Sequence, residues 1–110
     1  MARQASGSPT PLRDGVCFHC QQCAEKYLKA LLEELGQPVP RTHDLDHLLT
    51  ALRPHHSGLV AVRRGLIFLS DFAVDPRYPG ANATKRQAAS ALRWAGRVRA
   101  ECRMLLGLRL

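Results

Sequence analysis

Apolar positions along this chain recur every three or four residues, the repeat of a helix that buries one face. Cys17, Cys20, Ala24, Tyr27, Leu28, Leu31 and Leu35 form the first such stripe, with Glu25, Lys26, Lys29, Glu33 and Glu34 assigned to water. The stripe predicts a first helix that begins near Asp14, whose carboxylate suits a cap, and runs to Leu35. There Gly36 supplies a stop and Pro38 prevents continuation. Residues 1–13, broken by Gly7, Pro9 and Pro11, read as an irregular lead-in, which leaves 14–110 as the domain.

A second helix is expected after Pro40, with Thr42 as N-cap and Asp44 in the first turn, carrying Leu45, Leu48, Leu49 and Leu52 and ending at Pro54. A third, from about Ser57, uses Leu59, Val62, Leu66, Leu69 and Ala73, with Val60, Ile67 and Phe72 flanking. The last, from about Thr84 to Leu106, places Ala88, Ala91, Leu92, Ala95, Val98, Cys102, Leu105 and Leu106 on one side. Alternation of the strand type is missing, and no Asn-Gly or Asp-Gly turn joins two apolar runs. The fold class predicted is an all-α, antiparallel bundle of about four helices, and 110 residues allow one core.

No run approaches the roughly 18 apolar residues of a membrane span, and the first residues lack the apolar centre of a secretory signal. A cytoplasmic protein with free thiols is therefore expected, not associated with membranes. The net charge of +7 changes the picture more than the composition does. From Ala81 to Leu110 there are seven basic residues against Glu101 alone. Arg86, Arg93 and Arg97, separated by nearly whole turns, line up outside the last helix and suggest an anionic partner such as nucleic acid.

Two arrangements invite a metal. Cys17, Cys20 and Cys23 have iron–sulfur spacing, but on a continuous helix their thiols fan over roughly a third of the circumference. Packing as small hydrophobes is the better account. His43 and His47 stand four apart beside Asp44, a zinc-pair spacing without an evident third ligand, and His55 and His56 mark a turn. No metal or cofactor is expected. Phosphate loops, nucleophile elbows and paired catalytic carboxylates are missing too.

Three blocks occur in order: Phe18-His19-x-Gln21-Gln22-x-Ala24-Glu25-Lys26-x-Leu28-Lys29-Ala30-Leu31-Leu32, then Thr42-His43-Asp44-Leu45 with Leu48-Leu49, then Asp75-x-Arg77-Tyr78-Pro79. Together they resemble the prokaryotic HEPN domain family over Asp14 to about Leu106, with cysteine at positions 20 and 23 where members usually carry a small residue such as alanine. The resemblance implies a helical bundle, commonly a homodimer, that is associated with nucleotide or RNA binding. It further implies a small nucleotidyltransferase as partner in a toxin–antitoxin type of system. Family motifs carry His43, Asp44, Arg77 and Tyr78 over as binding candidates, and Arg86, Arg93 and Arg97 join them on charge.

Some relatives are metal-independent ribonucleases in which an arginine precedes a histidine by four to six residues. Arg13 with His19 and Arg41 with His47 fit that spacing, but thirteen arginines and five histidines would yield roughly two such matches by chance. A ribonuclease is thus the alternative function, and a purely structural interaction module the third. Members normally carry another helix before the Phe-His-x-Gln-Gln block. A chain without it should leave apolar surface that dimerisation covers, unless the true start lies upstream.

Overall fold

The computed structural model describes residues 10–73 and 83–107. The elements, in chain order, are α1 (Thr10–Glu34), α2 (Leu45–Leu52), a 3-10 turn (Ser57–Val62), α3 (Arg63–Ser70) and α4 (Lys85–Leu105). The described residues contain no strand, and the all-α bundle expected from the apolar repeat is what forms.

Helix ends follow local chemistry. Past α1, Gly36 takes φ 70°, its N–H bonds to the Glu33 carbonyl at 3.0 Å, and the Gln37 N–H bonds to the Leu32 carbonyl at 2.9 Å. This is a Schellman closure, which glycine reaches without the Cβ penalty. At the head of α4 the Thr84 hydroxyl accepts the Gln87 N–H while the Gln87 side chain accepts the Thr84 N–H, a complete capping box.

Three expectations about the elements need correction. α1 begins at Thr10, so residues 10–13 are helical and Asp14 is not its cap. Asp14 is instead buried within the helix, where its carboxylate accepts the Ala83 N–H, and Arg13 Nε donates to the Ala83 carbonyl at 3.0 Å. Two neighbours on α1 thus clasp both backbone groups of the residue that leads into α4. At α2 the N-cap is Asp44, whose side chain accepts the Asp46 N–H, and the Thr42 hydroxyl accepts the Asp44 N–H one step earlier. The third helix is divided: Val62, at φ −103° and ψ 10°, leaves helical geometry between the 3-10 turn and α3.

The core is one contiguous cluster. Leu28, Leu31 and Leu32 of α1 meet all four leucines of α2, with Leu59, Val62, Leu66 and Leu69 behind them and Ala91, Val98 and Cys102 of α4 closing the other side. The Leu45 N–H donates to the Ser70 hydroxyl at 2.9 Å, which joins the first residue of α2 to the last of α3 and folds the two short helices into an antiparallel hairpin. The long helices are related differently. Arg13 reaches Ala83 at the start of α4, and Arg103 Nη1 reaches the Tyr27 hydroxyl at 3.4 Å near its end, so α1 and α4 run parallel.

Leu92, expected in the core, is 59% exposed. It stands about 100° around the helix from Ala91, outside the arc that α1 and α3 cover. Leu12, Val60, Ile67 and Met104 are the other large apolar side chains exposed among the described residues. No described helix is long and apolar enough to cross a membrane.

Candidate functional site

The residues of the first two family-like blocks come together as a buried polar lock between α1 and the entry to α2. Gln21 is fully buried and Glu25 nearly so, although the amphipathic pattern assigns Glu25 to water. Gln21 Nε2 donates to Glu25 Oε1 and to the His43 carbonyl, both at 3.0 Å, while Gln21 Oε1 accepts from Gln22 Nε2 at 2.7 Å. Lys29 Nζ donates to Glu25 Oε2 at 3.0 Å. His43 Nδ1 lies 2.9 Å from Glu25 Oε1, and because a carboxylate can only accept, Nδ1 carries the proton. The signal for the lock was the polar pair Gln21-Gln22 interrupting an apolar stripe.

Burial is the largest single influence on the Glu25 carboxyl and favours its neutral form. The hydrogen bonds from His43, Lys29 and Gln21, with the Lys29 charge, together outweigh it and hold the pKa below the ordinary 4.5. A carboxyl depressed on folding stabilises the native state above its unfolded pKa and loses that contribution as the pH falls through the folded value. The stability advantage of the native chain over Glu25→Gln should therefore be full at neutral pH and shrink below pH 4.5. Urea unfolding of both proteins across that range checks it, and an advantage unchanged down to the acid limit would contradict it.

Beside the lock lies an open groove of about 500 Å³ lined by His43, Asp44, Asp46, Ile67, Ser70, Asp71 and Ala73. Its charge is acidic, relieved on one side where Arg63 Nε bonds Asp46 Oδ1 at 3.0 Å. The first two N–H groups of α2 are already taken by Ser70 and Asp44. His43 and Asp44, expected to contact nucleotide or RNA, thus hold the α2 entry in surroundings that repel phosphate.

The ribonuclease candidates do not assemble within one chain. Arg13 and His19 share one continuous helix, six residues and about 120° apart around it. Arg13 is held to Ala83, whereas His19 is exposed with its ring edge-on to Phe18. Arg41 and His47 are both exposed, one before α2 and the other on it, and no hydrogen bond joins them. His47 is on α2 but His43 precedes it, so the zinc-pair face is not formed. Among the described residues no three His, Cys, Asp or Glu side chains are grouped to hold a metal ion.

Cys17, Cys20 and Cys102 are buried and Cys23 is half-buried, all as free thiols. Burial pushes the Cys20 thiol up to about 11 and the Cys102 thiol up to about 12, so both stay protonated and pack as apolar groups.

The arginine stripe does form. Arg86, Arg93 and Arg97 are all exposed on α4, and Lys85 and Arg99 are exposed on the same helix. Arg93 Nη2 donates to the Ser90 hydroxyl at 3.1 Å, and the Arg97 guanidinium lies over the Trp94 ring, 4.7 Å from its centroid. Glu101, the sole acidic residue of α4 and four residues on from Arg97, is half-buried. Arg77 and Tyr78 lie outside the described residues. A family model described as HEPN domain matches residues 10–105, whereas no curated protein and no solved structure matches the chain.

Proposed function

The chain belongs to the HEPN domain family, a family associated with nucleotides and RNA, and from that premise we propose that it is a binding subunit whose contact surface is the outward face of α4. The observation that carries this reading is the exposed line Arg86, Arg93 and Arg97, with no acidic side chain exposed on the helix. Each arginine can pair with a phosphate and release a counterion, whereas the acidic groove beside His43 opposes such a ligand.

The test is the salt dependence of single-stranded RNA binding, followed by fluorescence anisotropy. Replacing Arg86, Arg93 and Arg97 together by glutamine should weaken binding and flatten the slope of log K against log salt by about 2, near 0.7 for each phosphate no longer neutralised. These side chains leave the core untouched, so far-UV circular dichroism should be unchanged. An unaltered slope would assign the contact surface elsewhere.

The reading extends to a homodimer and to a small nucleotidyltransferase partner in a toxin–antitoxin type of system. Support for that extension is the resemblance of the Phe18–Leu32 and Thr42–Leu45 blocks. The ribonuclease reading has less support, because Arg13 bonds Ala83 and diverges from His19.

A further inference from the structure

Trp94, the single tryptophan of the chain, stands at the border of the arginine stripe. It is half-buried, and its indole is backed by α3 at Gly65, where a Cβ would fall 2.1 Å from Cε3 and 2.3 Å from Cδ2. The missing side chain lets the indole sit hard against the helix. Over the ring lies Arg97, itself exposed, so a planar cation is held on an aromatic support with an outward surface in solvent. On the far side of Arg93, the exposed positions Ala89, Leu92 and Gly96 make a low apolar strip along the same helix.

A surface that reads only phosphates needs neither feature. Duplexes hide their bases in the stack, whereas a single strand presents unpaired bases that stack on aromatic rings and guanidinium planes. Taking the α4 face as the contact surface proposed above, we infer that Arg97 and Trp94 form a stacking platform for an unpaired nucleobase. The ligand class is then single-stranded RNA, with phosphates on Arg86, Arg93 and the N–H edge of Arg97, and one base on the Arg97 plane. Lysine would keep the charge at position 97 but lose the plane.

Trp94 reports on its own surroundings. The whole chain is titrated at low salt with oligo(A) of about eight nucleotides and separately with inorganic polyphosphate of equal charge, following tryptophan emission and anisotropy. Both ligands should bind, and only oligo(A) should change the Trp94 emission. In Arg97→Lys the ratio of oligo(A) to polyphosphate affinity should fall about tenfold, the loss of one good stacking interaction, while Arg99→Lys, off the stripe, keeps the native ratio. Binding of oligo(A) with unchanged emission and an unchanged ratio in Arg97→Lys would make the Arg97–Trp94 pair a packing feature only. That outcome overturns the platform and leaves the basic-face reading intact. If neither ligand binds, both fall together.

Discussion

Gln21→Leu is expected to destabilise the fold by about 3 kcal/mol, a large share of the roughly 5–15 kcal/mol that holds a domain of this size. Leucine keeps most of the volume, so the loss is one of hydrogen bonding rather than packing. Gln21 supplies a donor to the Glu25 carboxylate and another to the His43 carbonyl, and its own oxygen accepts from Gln22. Removing it leaves a nearly buried carboxylate short of one donor and the α2 entry without its tie to α1. Urea unfolding should show a lower midpoint at constant m, the mark of lost stability rather than altered compactness. Gln21→Glu provides a contrast, since it keeps the shape and sets a second carboxylate against the first. It should be at least as damaging at neutral pH and partly relieved in acid, where one carboxyl can be protonated. A loss below about 0.5 kcal/mol in Gln21→Leu, within the usual range of surface substitutions, would show that the lock does not hold the helices.

The second large effect is expected at Gly65. Valine there would drive its Cβ into the Trp94 indole, within 2.8 Å of three ring atoms, which belong to one rigid ring system rather than to a flexible end. The ring must leave its place or α3 must move off α4. Overpacking of this kind costs about 3 kcal/mol at the upper end of its ordinary range. Unfolding by denaturant should show it, together with a red shift of the Trp94 emission as the indole enters water. Gly15, on α1 with open space where a Cβ would stand, is the control. Gly15→Ala should stabilise by about 0.5–1 kcal/mol through helix propensity. Equal behaviour of the two sites would mean that the close approach at Gly65 has no consequence.

Much of the secondary structure was legible because its causes are local. All four leucines assigned to the core from α2 are buried, and α1 stops where Gly36 can take positive φ. Thr84 heads α4 through bonds that span three residues. The arginine stripe was legible for the same reason, since positions 86, 93 and 97 follow the helical period and nothing has to pack against them. Glu25 was misplaced because an amphipathic pattern sends a charged residue to water, and the partner that admits it, His43, comes from eighteen residues away. Asp14 resembled a cap, but its acceptor oxygen serves Ala83 across the fold. Leu92 fitted the apolar period, yet the neighbouring helices cover a narrower arc than the period suggests.

The site divides along the same line. Its charge could be read from the sequence, but its surroundings could not: that Trp94 rests on Gly65 and carries Arg97, and that His43 and Asp44 are held in acidic surroundings. By itself the sequence determined a helical bundle, its main apolar stripes, two of its helix ends and the basic face, all set by periodicity and by bonds within a few residues. Only the tertiary structure decided that the long helices run parallel, that Gln21 and Glu25 are interior, and that one arginine of three lies on an aromatic ring. Those features depend on which distant groups meet when water is excluded, and a buried polar atom is tolerated only where a partner from elsewhere in the chain arrives to bond it.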